Sequence, residues 1–305
     1  MTASEPDMQV RIANLVLQNP VITASGTFGY GLEFEEFMDL SSLGAVTIKS
    51  VSLEPRQGNR PPRIVETASG MLNAIGLQNP GVQVIIDEKL PELAAHGVPV
   101  IVNLVGESID EYVELAQQLS KCADVSALEL NISCPNVGHG MYFSSSADLT
   151  AQLVSAVREV TDLPLITKLS PNVTDIAEIA VAAQDAGSDA LSLINTLVGM
   201  SIDTETRCPH LGNITGGLSG PAIKPVAVRC VWEVYEAVEV PLIGMGGIMC
   251  TDDAVEFMLA GATAIAVGTA NFVNPTTSAD IVEGLHSYAA DRGLSRITDL
   301  TGAAH

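Results

Sequence analysis

Eight short apolar runs recur along the chain, beginning near Val21, Ala45, Val98, Ala127, Leu165, Ala190, Pro241 and Ala264. Between them lie segments whose apolar residues return at helical spacing. The clearest is Ser108 to Lys121, where Ser108 and Glu111 form a capping box and Ile109, Tyr112, Val113, Ala116 and Leu119 share one face. Similar helices are expected near 146–160, 174–186, 222–238, 251–260 and 278–291. Val98-Pro99-Val100, Leu163-Pro164-Leu165 and Val240-Pro241-Leu242 each open a strand, while Ala186-Gly187 and Ala260-Gly261 each close a helix. A strand followed by a helix, repeated eight times, leaves an α/β chain with few options besides a (β/α)8 TIM barrel.

Residues 9 to 18 carry Val10, Ile12, Leu15 and Leu17 around Asn14, which predicts a short hairpin before the barrel begins. The steps from Ala45 to Val98 and from Ala190 to Pro241 are the two longest, so insertions are expected over roughly 50–80 and 196–221. Both leave the C-terminal ends of strands, the face on which barrels of this kind carry their sites. With no low-complexity linker, residues 1–305 read as a single domain.

Polar groups interrupt the apolar strands at that same face. Lys49 and Ser50 follow strand two, Asn103 lies in strand three, Lys168 in strand five, and Asn195 and Thr196 follow strand six. A lysine inside Leu165-Ile-Thr-Lys-Leu169 is costly to bury without a partner, so either a ligand or a neighbouring strand's carboxylate must meet it. Gly244-Met-Gly246-Gly247 ends strand seven and Gly268-Thr269 ends strand eight, where glycine lets backbone amides approach a phosphate closely. The stretch from Gly70 to Gly81 is too polar and glycine-rich for a helix and reads as a ligand-binding loop with Asn73 turned inward. Gly216-Gly-Leu-Ser-Gly220 is a second segment of close backbone approach, and Ala24-Ser25-Gly26 completes the ring.

After the apolar run Ala127 to Leu130 comes Asn131-Ile-Ser-Cys-Pro-Asn136, which cannot extend the strand because Pro135 lacks the ladder donor. A thiol between two carboxamides can trade a proton while the asparagines grip a planar polar ligand. The hexapeptide alone also allows a buried cysteine beside turn-forming residues. His139 could form half of a Cys–His pair, although no carboxylate nearby would orient it. Cys208 and Cys250 read as inert.

Composition narrows the partners. Lys and Arg number 14 against 36 Asp and Glu, a net charge of −22, which argues against nucleic acid or an anionic membrane as partner. An anionic small molecule stays possible, because salt screens the distant field over about 8 Å while a lysine acts at contact. The five scattered cysteines contain no C-x-x-C, fit a reducing cytoplasm, and offer no iron–sulfur or zinc cradle. The uncharged run Phe257 to Ala279 reaches membrane-span length, but its threonines, asparagines and Pro275 read as helix end, strand and loop.

Thr23 to Gly29, Met71 to Gly81, Asn131 to Asn136, Asn213 to Pro221 and Gly244 to Gly247 together resemble the class 1 dihydroorotate dehydrogenases, in that family's order across essentially the whole chain. The resemblance implies oxidation of (S)-dihydroorotate to orotate in pyrimidine biosynthesis on a barrel holding FMN, with Cys134 as the catalytic base. FMN contacts are implied for Ser25, Gly26, Lys49, Ser50, Asn103, Asn131, Lys168, Ile194, Gly220, Gly246, Gly247, Gly268 and Thr269. Substrate contacts are implied for Lys49, Asn73, Ala74, Ile75, Gly76, Leu77, Asn131, Asn136, Asn195 and Thr196. Ile132 and the segment Asn213 to Pro225 resemble the B-type, NAD-linked branch more than the fumarate-reducing one. That branch implies a partner subunit carrying FAD and a [2Fe–2S] cluster, with two of each chain. Two other readings remain at this level: a related FMN reductase of pyrimidine bases, and a Schiff-base aldolase using Lys168 as the covalent amine.

Overall fold

A computed structural model describes residues 5–133 and 143–305. The eight apolar runs form the strands β1 (Val21–Thr23), β2 (Val46–Val51), β3 (Val100–Leu104), β4 (Ala127–Asn131), β5 (Leu165–Lys168), β6 (Ala190–Leu193), β7 (Leu242–Met245) and β8 (Ala264–Val267). Each pairs in parallel with its neighbour in the sequence, and β8 pairs with β1. A bridge between Ile22 and Ala45, with the amide of Gly44 donating to the carbonyl of Val21 at 2.8 Å, brings β1 against β2 and closes the ring. Buried on both faces, as parallel strands under helices must be, these runs are apolar without alternation.

The expected helices pack around them. Ile109–Leu119 buries Tyr112, Leu115, Ala116 and Leu119 and starts where Ser108 accepts from the amide of Glu111. The reciprocal arm of the expected capping box is displaced by one residue: the Glu111 carboxylate takes the amide of Glu107 at 2.8 Å, not that of Ser108. Ser146 and Asp175 cap Ala147–Arg158 and Ile176–Asp185 in the same way. The N-terminal hairpin pairs Val10–Ile12 with Leu15–Leu17 and buries Val10, Ile12 and Leu17 in the core.

Three features depart from the expected alternation. Between β1 and β2 the chain makes two short 3-10 turns, Leu32–Phe34 and Leu40–Ser42, in place of a helix. Phe34 stacks on Phe28 at 4.1 Å there, so a pair of aromatic rings covers the barrel where a helix would lie. Between β2 and β3 the helical stretch widens to a π-turn over Ile85–Lys89 just ahead of Pro91, a residue with no amide hydrogen to give to the preceding turn.

The third departure lies in the insertions. The segment expected as a loop from Gly70 begins with a strand, Gly70–Asn73, and the two insertions combine into one antiparallel sheet ordered Leu197–Met200, Thr215–Ser219, Gly70–Asn73, Ile64–Thr67. Thr215–Ser219, one of its two inner strands, is built around Gly216 and Gly217 because it runs close to its neighbours. A Cβ on Gly216 would sit 2.7 Å from the carbonyl of Asn73, and one on Gly217 would strike the hydroxyl of Thr196. The sheet therefore lies directly over the loop that leaves β6.

Candidate active site

Where the strands reach the C-terminal face their inward residues turn from apolar to polar. Register places Asn103 beside Glu129, Asn131 beside Lys168, and Lys168 beside Ser192 on neighbouring strands. All five side chains are buried. Asn103 donates from Nδ2 to Glu129 Oε1 at 2.6 Å, Ser192 donates to Glu129 Oε2 at 2.7 Å, and Ser50 donates to Asn103 Oδ1 at 2.5 Å. A continuous polar row thus crosses β2, β3, β4 and β6 inside the barrel.

Lys168 stands beside this row. Its ammonium lies 3.9 Å from Glu129 Oε1, within charge contact but beyond hydrogen-bond reach, and 3.5 Å from Ser25 Oγ. The residue is only 6% exposed. An ammonium carries three donors, and among the described residues this one makes a single long bond. Of the two expected partners, the neighbouring strand's carboxylate is present at charge-contact distance, and donors of Lys168 are left over among the described residues.

Glu129 itself was hidden in what reads from sequence as a plain apolar strand. The signal was available, because a lone carboxylate inside Ala127-Leu-Glu-Leu-Asn131 raises the question that Lys168 raises in β5.

Lys49 adds a second cation to the face. It is half-buried with no carboxylate within ion-pair distance among the described residues, and burial, then the Arg63 guanidinium, pulls its ammonium below the ordinary lysine range against an opposing pull from Glu33.

A set of amides lies opposite. Asn195 donates to Asn131 Oδ1 at 3.2 Å and accepts from the Thr196 amide at 2.8 Å, while Asn172 holds the Thr196 carbonyl at 2.9 Å. Tyr112 donates to the backbone carbonyl of Asn131. Asn73, from the insertion sheet, is tied at 3.3 Å to the carbonyl of Gly217. Beyond it Asn59 donates to the carbonyls of Ala74 and Ile75, through its side-chain amide and backbone amide respectively, and Gly76 and Leu77 both take positive φ. For Leu77 that conformation is uncommon, so the turn is held by its surroundings.

The expected phosphate loops adjoin one another through the β7–β8 ladder. Gly246 and Gly247 have φ of 126° and 84°, and a Cβ on Gly247 would sit 2.8 Å from the carbonyl of Gly220. Among the described residues the backbone amides of Gly246, Gly247 and Gly268 have no acceptor. A Cβ on Gly26 would meet nothing within 4 Å, and one on Gly268 only ordinary contacts. Thr269 donates to Ser219 at 2.8 Å, tying the end of β8 to the insertion sheet, and Ile194 is buried beside Gly246. Unspent amides at two adjacent loops, open space at Gly26 and a cation with donors to spare fit a phosphorylated ring cofactor. Cys134, Asn136 and His139 lie outside the described residues.

A family model described as dihydroorotate dehydrogenase matches residues 7–288. The chain is 58% identical over 297 residues to a protein of Desulforudis audaxviator named dihydroorotate dehydrogenase B (NAD(+)), catalytic subunit, covering 97% of each chain. Proteins of the same name from Geotalea uraniireducens and Geobacter sulfurreducens are 56% and 54% identical, each alignment covering 98% of both chains. With this coverage and these strand-end residues in place, the chain belongs to the dihydroorotate dehydrogenase family.

Proposed function

We propose that this chain is the catalytic subunit of an NAD-linked dihydroorotate dehydrogenase, a single FMN-binding barrel that oxidises (S)-dihydroorotate to orotate. The observation that carries the flavin reading is Lys168: a buried ammonium with unspent donors, set between the Asn103–Glu129 row and Ser25. The free amides of Gly246, Gly247 and Gly268 would hold the phosphate, with Thr269 and Gly220 beside them. Ser25, Gly26, Ser50, Asn103, Asn131, Lys168 and Ile194 would line the ring.

FMN, when bound, would supply a hydride acceptor at its N5. The chain's own residues do the rest. Lys49 meets the substrate carboxylate, and Asn73, Asn131, Asn136 and Asn195 with Thr196 meet its ring carbonyls and N–H groups, supplying donors without adding negative charge. Residues 74–77 lie alongside. Cys134 removes the C5 proton as base while the C6 hydride departs, which requires a thiol partly ionised near neutral pH.

Electrons would leave through a separate subunit carrying FAD and a [2Fe–2S] cluster, in a cytoplasmic assembly with two of each chain. Among the described residues no helix is long and apolar enough to cross a membrane. The deciding experiment is the visible spectrum of the purified protein before and after dihydroorotate. A flavin spectrum that bleaches on addition supports the reading, and a colourless protein or an unbleached flavin removes it.

A further inference from the structure

Glu129 belongs to none of the roles assigned above, yet it is 2% exposed and both of its oxygens are engaged. Burying a carboxylate is costly unless its surroundings are arranged for it, so its partners are constrained in return. A carboxylate only accepts hydrogen bonds. Asn103 must therefore turn its Nδ2 toward Glu129, which leaves Oδ1 facing Ser50. Ser50 has one hydroxyl proton and gives it to that oxygen. What Ser50 can then present to a ligand is lone pairs, so the ligand edge meeting it must bring a donor.

The same carboxylate sets the local charge. Glu129 Oε1 is 3.9 Å from the Lys168 ammonium, and no other carboxylate forms an ion pair with Lys168 among the described residues. The pair is neutral as a unit. A lone cation at this depth would strongly favour the negative charge that reduction adds to a flavin, and a lone anion would oppose it. The pair permits a level between the two.

We propose that Glu129 is the positioning residue of the flavin site: it fixes the donor–acceptor direction of the Asn103–Ser50 row and balances Lys168, and thereby sets the flavin's reduction potential. This rests on the flavin reading of the site. Glu129 acts through Asn103, Ser50 and Lys168 and not by contact with the reacting atoms.

The test measures the flavin midpoint potential in the flavin-loaded protein, unsubstituted and as Glu129→Gln, Lys168→Gln and the double variant. Glu129→Gln is expected to move the potential to more positive values and Lys168→Gln to more negative ones. The double variant, again neutral, should return close to the starting value. Removing one member of a buried pair can prevent folding, and the double variant, which strands no charge, then decides alone. With flavin bound and the potential near the starting value, it supports the proposal. A double variant displaced as far as Lys168→Gln, or a Glu129→Gln protein with an unchanged potential and only a lowered melting temperature, would reduce Glu129 to a structural counter-ion. An unsubstituted protein that binds no FMN would instead remove the flavin reading and the proposal with it.

Discussion

The hydroxyl of Tyr112 donates to the backbone carbonyl of Asn131 at 2.7 Å. Tyr112 is wholly buried on the helix Ile109–Leu119, and its ring meets Phe143 edge-on at 5.8 Å. Asn131 closes β4 and Phe143 follows the segment that contains Cys134, so one side chain touches the chain on both sides of the proposed base. Tyr112→Phe keeps the ring and strands a buried carbonyl, at a cost of about 1–3 kcal/mol. The expected result is a lower melting temperature with FMN retained and flavin reduction by dihydroorotate slowed. Calorimetry and stopped-flow bleaching check it; a rate equal to the unsubstituted protein would confine Tyr112 to stability.

Cys134→Ser exchanges one atom and is expected to leave fold and flavin content unchanged while slowing dihydroorotate oxidation strongly. A serine hydroxyl is far less acidic than a thiol, whose ordinary value is about 8.5. Residual activity should therefore keep climbing with pH after the unsubstituted enzyme has levelled off. An undiminished rate at neutral pH would take the base role away from Cys134.

Lys49 gives a prediction with a sign. Burial, with Arg63 beside it, lowers its ammonium below the ordinary lysine value. At neutral pH the charged form carries its full burial penalty and opposes folding; between the lowered value and about 10.4 the unfolded chain binds more protons than the folded one, so that opposition fades as pH rises through this window. Lys49→Met is expected to raise the melting temperature of the substrate-free chain at pH 7, with the gain shrinking toward pH 10. The same variant should raise KM for dihydroorotate about ten- to 150-fold, the loss of a charge-assisted hydrogen bond of about 1.5–3 kcal/mol. A melting temperature that drops, or a KM that holds, contradicts the unpaired-cation assignment.

Local pattern carried the barrel. Short apolar runs ending in Lys, Asn or Gly announced both the strands and the face on which they end, and Ala186-Gly187 and Ala260-Gly261 stopped their helices with Gly187 and Gly261 at positive φ. The insertion sheet was illegible for a physical reason. Strand Thr215–Ser219 pairs with residues about 145 positions away, and its glycines remove the alternating side chains by which a strand is recognised. Glu129 shows a different limit. Its burial makes sense only once Asn103, Ser192 and Lys168 are seen to converge from three other strands.

The last prediction concerns electron flow. NAD needs a binding site of its own, and the sequence offers no G-x-G-x-x-G following a strand. An iron–sulfur relay needs clustered cysteines, and Cys122, Cys134, Cys208, Cys230 and Cys250 are scattered. The insertion sheet reaches across from β2 and β6 to β8 through the Ser219–Thr269 bond, covering the face where the flavin is proposed to bind. On the flavin reading proposed above, NAD would have to reach the ring past this sheet with no dinucleotide-binding motif of the chain's own to hold it. The chain alone is therefore expected to reduce an artificial dye with dihydroorotate but to form no NADH. Addition of the FAD- and cluster-bearing subunit should restore NADH formation, followed by its absorbance in a mixture of chain, dihydroorotate and NAD. Rapid NADH formation without the second subunit would overturn the two-protein arrangement, and efficient fumarate reduction by the chain alone would place its electron acceptor in the fumarate-reducing branch.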